Sequence, residues 1–168
     1  HFMRICVANL LLFISLYVLF PVLSVEMADR LGVPAAQTGV IFLFFTLGMF
    51  LIGPFHAYLV DEYKRKHVLL YSALIMLAAV LGYAFVDGYT KFLLLAAVQG
   101  ACFGLATTAG ITVAIDITTS ARRSAGNMVY AWAARLGMLV GVVLGIGMYK
   151  MYGFRMVTYL SVAAGLAS

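Results

Sequence analysis

The side chains of this sequence that could do chemistry are crowded into one short stretch. In AYLVDEYKRKHVLL, residues 57–70, Asp61, Glu62, Lys64, Arg65 and Lys66 put five charges into six positions. Charged residues make up only 10% of the whole chain. Such a cluster offers charge pairing and anion recognition. No nucleophile–base pair, glycine-rich phosphate loop or HExxH motif accompanies it, so nothing calls for an enzyme. Cys6 and Cys102 lie inside apolar runs, with no CxxC and no Cys/His cluster. Neither a disulfide framework nor a zinc site is expected, and no cofactor or metal is implied. His56 and His67 flank the charged stretch and read as interfacial residues rather than ligands.

The sharpest single residue is Arg135. It lies about ten residues into an apolar run, ~15 Å along a helix from the nearer flank. A charge that deep in hydrocarbon costs at least ~2.5–3.5 kcal/mol on insertion scales. It is therefore expected to face the interior of a bundle, with Asn9, Gln99 and the Tyr130 phenol as candidate partners. No acid in this chain lies at matching depth. An anionic substrate, or an acid elsewhere in a longer protein, is the functional expectation; snorkelling to the interface is the bland one.

The elements that position these residues follow from composition. The chain is 65% hydrophobic, whereas soluble domains run ~45–50% apolar with ~25% charged. So few charges cannot cover that much apolar surface in water. The solvent for most of the chain is lipid. The formal net charge of +5 does not point to nucleic acid, because the basic residues sit mainly between apolar runs rather than on a polar face.

A helix crossing ~30 Å of hydrocarbon needs ~20 mostly apolar residues. Five runs qualify, at about 5–24, 38–60, 68–86, 92–118 and 128–149. A sixth, 156–168, has 13 residues and reads as the first part of a helix in a fragment of a longer protein. These runs are too long and too uniformly apolar for barrel strands. A secretory signal is the rival for the first run, but its length exceeds the ~7–15 residues of a signal core. The intervening segments suggest loops of about 5 to 13 residues, which would make consecutive helices antiparallel neighbours. The expected fold is an all-α polytopic membrane bundle.

Orientation follows from Lys and Arg. With the start cytoplasmic, the inner segments hold Arg4, Lys64, Arg65, Lys66, Arg122 and Arg123, against Arg30, Lys91, Lys150 and Arg155 outside. The densest clusters fall inside, as the positive-inside rule expects. The charged stretch is then a cytoplasmic loop between the second and third helices. Its acids are not explained by anchoring. Asp61 and Glu62 sit at the negative end of a helix dipole, a cost of ~0.3–1 kcal/mol, so a basic partner or another helix's N-terminus should hold them.

At that loop the sequence resembles the major facilitator superfamily, whose signature between helices 2 and 3 is G-x-L-a-D-r-x-G-r-[RK]. AYLVDEYKRK aligns with it. Leu59, Asp61, Arg65 and Lys66 match; Ala57 and Lys64 stand where the family has Gly, and Glu62 replaces a common Arg. ARRSAG after the fourth run and YGFRMVTYL entering the sixth are also similar to family patterns. The resemblance covers the whole chain, as the N-terminal half of a twelve-helix transporter. It implies a plasma- or inner-membrane permease or efflux carrier for a small solute, working by alternating access. Its partners would be lipid, substrate, a coupling ion and a C-terminal six-helix half. Asp61 and Arg65 would be gating residues, with Asp116, at the end of the fourth helix, joining their network.

The fourth run is the most polar. Gln99, Thr107, Thr108, Thr112 and Asp116 recur along it, and Gly100, Gly104, Thr108, Thr112 and Asp116 form a four-residue series. Small residues at that spacing make a packing seam. The resemblance implies instead a cavity wall, since helices 1 and 4 line the path in the family. On that view Asn9 and Tyr17 of the first helix face the cavity too. Many proton-coupled members carry an Arg three residues before QG in helix 4; here that position is Ala96. In the fifth run Gly137, Gly141 and Gly145 repeat a GxxxG packing ridge. From the residues alone, a channel, a receptor module or a membrane-embedded enzyme stays open beside the transporter.

Overall fold

The computed structural model describes residues 2–168. In lipid every backbone N–H and C=O must find its partner within the segment, and the apolar runs accordingly become helices. They are α1 (Phe2–Leu31), α2 (Val40–Glu62), α3 (Arg65–Gly82), α4 (Tyr89–Asp116), α5 (Arg123–Tyr152) and the shorter α6 (Phe154–Leu166). A single turn, Ala35–Thr38, precedes α2, and a 3-10 turn, Ser120–Arg122, precedes α5. No strand occurs among the described residues. The first five helices are long and apolar enough to cross a membrane. Their outer faces suit lipid and not water: on α2, Phe50 is 75% exposed and Leu51 63%.

The helices outrun the apolar segments. Hydropathy marks what lies in hydrocarbon, whereas the helical hydrogen-bond ladder continues into polar flanks. α1 therefore carries Glu26, Asp29 and Arg30 on its last turns, and α5 begins at Arg123, inside the segment expected to be a loop. α3 is displaced the other way, starting at Arg65 and ending at Gly82. The true connections are short: Tyr63 and Lys64 alone join α2 to α3, and Gly153 alone joins α5 to α6. α2 continues as helix through Pro54 to Glu62. Lys64 takes φ −59°, so the tight turn at the signature needs no glycine. Left-handed backbone occurs at Gly32, Gly88 and Gly153 (φ 63°, 117° and 77°).

The expectation that chain neighbours pack together holds for α3 and α4 and fails for the other consecutive pairs. α2 and α3 meet only near their shared turn. The main pairs are α1 with α5, α2 with α4 and α3 with α4; α6 rests on α1 and α3. The reason is steric, because glycine permits backbone contact. Gly137, Gly141 and Gly145 lie on the backbone of Leu10, Ile14, Tyr17 and Val18, so a Cβ at any of them would collide with α1. Gly48 lies on Ala97 and Gly100 on Phe45 in the same way. Both seams are parallel: Leu10, Ile14 and Val18 meet Gly137, Gly141 and Gly145 in order, and Phe45, Met49 and His56 meet Gly100, Gly104 and Thr108 in order.

Exchanging α1, α2, α3 for α4, α5, α6 maps the packing onto itself. The α1–α5 seam becomes α4–α2, and α1–α6 becomes α4–α3. Since α1–α3 cross three times, α4 starts from the opposite face and the second unit is threaded in the opposite direction. The bundle is two inverted three-helix repeats. One face, here the near face, carries the start of α1, the α2–α3 turn and the end of α4. The far face carries the ends of α1 and α5 and the three left-handed glycines.

Candidate functional site

The near face is organised by Arg65. As the first residue of α3, it sends one guanidinium nitrogen to the Asp116 carboxylate at the end of α4. The other approaches Asp61 at 3.9 Å, one helical turn back across the α2–α3 turn. Asp61 has its side chain 75% exposed. The network therefore contains Asp61, Arg65 and Asp116, but Arg65 and Asp116 form its tight pair and Asp61 stands at its edge. Leu59 is half-buried in the last turns of α2, while Glu62 and Lys66 are exposed.

A second polar cluster occupies the far face, and it joins segments that no local spacing connects. Arg30 pairs with Asp87 in the α3–α4 turn, donates to the Val86 carbonyl oxygen at 3.1 Å, and reaches Glu26 on its own helix at 3.5 Å. The Tyr149 hydroxyl, near the end of α5, lies 3.4 Å from both Glu26 and Asp29. The hydrogen bond from Arg30, reinforced by its charge and by Lys91 and Arg155, holds the Asp87 carboxyl below the usual carboxylate range. Glu26 and Arg30 at i, i+4 were the one available sequence signal. Under the repeat exchange this cluster is the counterpart of the near one: the end of α1 meets α5, as the end of α4 meets the α2–α3 turn.

The mid-membrane polar residues divide. Asn9 lies on the wall of a cavity that it shares with Leu12, Leu69, Leu77 and Tyr130. It is buried, with its amide donating to the Tyr130 carbonyl oxygen at 3.1 Å, where it ties α1 to α5. Gln99 is likewise internal, accepting from the Tyr83 hydroxyl at 3.0 Å between α4 and α3. Thr112 turns its hydroxyl back to the Thr108 and Ala109 carbonyl oxygens. Tyr17 is half-buried and stacks with Phe13 and tilts on Phe20. These rings continue through Phe42, Phe45 and Phe103, an aromatic wall where α1, α2 and α4 converge.

Arg135 departs from expectation. It is exposed and does not face the bundle interior. On α5 it lies on the side away from the Gly137 seam, among the exposed Met128, Trp132 and Leu139. Asn9, Gln99 and Tyr130 are all buried, whereas Arg135 is not. Its contact is the Trp132 ring, 5.6 Å from guanidinium carbon to centroid. Interior partners cannot reach it because the glycine ridge fixes which face of α5 turns inward.

A multi-pass bundle of two inverted three-helix repeats is the architecture of a half of a secondary transporter. The family model for the Major Facilitator Superfamily matches residues 5–168, and the chain belongs to that superfamily. It is an integral, multi-pass membrane protein of a transporter family whose members move small molecules. A comparison with curated proteins finds no match.

Proposed function

We propose that this chain forms the N-terminal six-helix half of a secondary active transporter. It moves a small solute by alternating access, rocking against a second six-helix half around a central site. The observation that carries this reading is the exchange of packing between α1–α3 and α4–α6, the inverted repeat on which such rocking depends. The near face is cytoplasmic, as its cluster of Arg4, Lys64, Arg65, Lys66, Arg122 and Arg123 favours.

In this mechanism Arg65 and Asp116 hold the near ends of α3 and α4 together, and Asp61 is the group left to engage the other half. An exposed carboxylate at the end of a helix finds its best partner in the positive N-terminus of a facing helix. Arg135 and Tyr17 supply the polar contacts toward the substrate path, with Thr108 and Thr112 behind them on α4. Replacing Asp61 by Asn in the full-length protein tests the gate. Uptake into proteoliposomes should fall at least tenfold while membrane insertion and yield stay normal. Unchanged uptake would refute the gating role.

A further inference from the structure

His56 belongs to neither polar cluster. It stands on α2, in the seam with α4, where its Nδ1 lies 3.3 Å from the Thr108 hydroxyl oxygen. That hydroxyl has one hydrogen to give, and it is directed to the Gly104 carbonyl oxygen at 2.9 Å. With the hydroxyl's hydrogen given to Gly104, the ring is the donor in its contact with Thr108. Nδ1 carries the hydrogen, and neutral His56 is left with a bare lone pair on Nε2. Nε2 is buried and meets no hydrogen-bond partner among the described residues. Gly104 makes room for the ring: a Cβ there would lie 3.0 Å from Cε1 and 3.4 Å from Nε2.

A buried, unused lone pair on a basic nitrogen can take up a proton without displacing another donor. The product is different in kind. An imidazolium would present an Nε2–H with nothing to receive it and a charge between two helices in the apolar zone. The closed seam and the charged ring exclude one another.

The other titratable groups do not relieve this. On the same helix, Tyr58, Asp61 and Glu62 lie toward the near face. On α4 there are Cys102 and Asp116, the latter held by Arg65. The start of α3 brings Arg65, Lys66, His67 and Tyr71, and α1 brings Tyr17. None of them is bonded to the His56 ring among the described residues.

We propose that His56 is a proton-binding site, charged when the α2–α4 seam parts and discharged when it closes. A hydronium ion from water on one side gives its proton to Nε2, forming the N–H bond. Closure returns that proton to water on the other side. This rests on the transporter reading and names the site at which its cycle would couple to a proton.

The test is spectroscopic and needs no substrate. The full-length protein, with 15N-labelled histidine, is placed in lipid nanodiscs and imidazole spectra are recorded from about pH 4 to 9. The His56 signals are assigned by their loss in His56→Asn, whose amide can still donate to Thr108 but cannot take a proton. Spin labels at exposed Tyr58 and Ile111 report the α2–α4 separation. Expected are an Nδ1–H tautomer at high pH, conversion to imidazolium at low pH, and a widening of the seam that tracks it and is absent in His56→Asn. An Nε2–H tautomer, a ring that never titrates, or a widening that persists in His56→Asn overturns the proposal. A silent ring beside active uptake refutes only the proton site; a titrating ring without uptake of any solute refutes only the transporter.

Discussion

Arg65 gives its close ion pair to Asp116, at the far end of α4 in sequence, and keeps Asp61, its near neighbour, at 3.9 Å. The tie thus runs between the two repeats, α3 of the first and α4 of the second. Asp61 is bound loosely enough to answer to something else. If so, Asp116 and Asp61 should fail differently.

Asp116→Asn and Arg65→Ala remove the same tie and should give the same phenotype. The near ends of α3 and α4 loosen, read as faster cysteine labelling at Thr118, and uptake drops several-fold. Combining the two should cost little more than either alone, the signature of coupled residues. An additive double variant would show that each acts on another partner.

Arg135→Ala should lower substrate affinity or flux at least tenfold in the full-length protein, and Arg135→Lys should recover part of it. Lysine keeps the charge but not the planar fork that lies over Trp132. Measured affinity and flux that are both normal in Arg135→Ala would assign the residue to the lipid interface.

The glycine ridge predicts a contrast within one helix. Gly141→Ala places a methyl on the α1 backbone and should destabilise the bundle by ~1–3 kcal/mol, as overpacked sites do. Gly147 has open space around it, so Gly147→Ala should leave stability unchanged or raise it by up to ~1 kcal/mol. Thermal unfolding of the two variants in the same detergent decides this.

The far-face pair makes stability depend on acid. Because the folded Asp87 carboxyl sits below its ordinary range, the unfolded chain binds more protons in that window. Its contribution is complete above the ordinary carboxylate value and disappears as the pH falls through the lowered one. Asp87→Asn should therefore melt earlier at neutral pH, and its melting temperature should fall less on acidification.

Much of this was written in the sequence at the level of spans. The number of spans, the all-α class and the family came from run length and one loop motif, since lipid forces helix wherever apolarity persists. Neighbours in space were not legible. Gly137, Gly141 and Gly145 announce a close contact without naming α1 as its partner, because a glycine ridge carries no complementary code. Arg135 was misplaced for that reason: which side of α5 faces inward depends on the seam. The seam position of His56 is not legible either, because Thr108, which it meets, is 52 positions away in the chain. The far-face cluster draws on α1, the α3–α4 turn and α5, and no local spacing joins Tyr149 to Glu26.

Gly32, Gly88 and Gly153 all fall on the far face, whereas the near-face turns use backbone angles open to any residue. The two faces therefore constrain the side chains they can carry in different ways. At the far face a single nucleotide change that puts an ordinary side chain on a turn is penalised through chain shape, whatever its polarity. At the near face the trace forgives nearly any substitution, and what selection can see there is charge. Lys64 in place of glycine is a change this asymmetry permits, whereas a side chain at Gly32, Gly88 or Gly153 would strain the backbone.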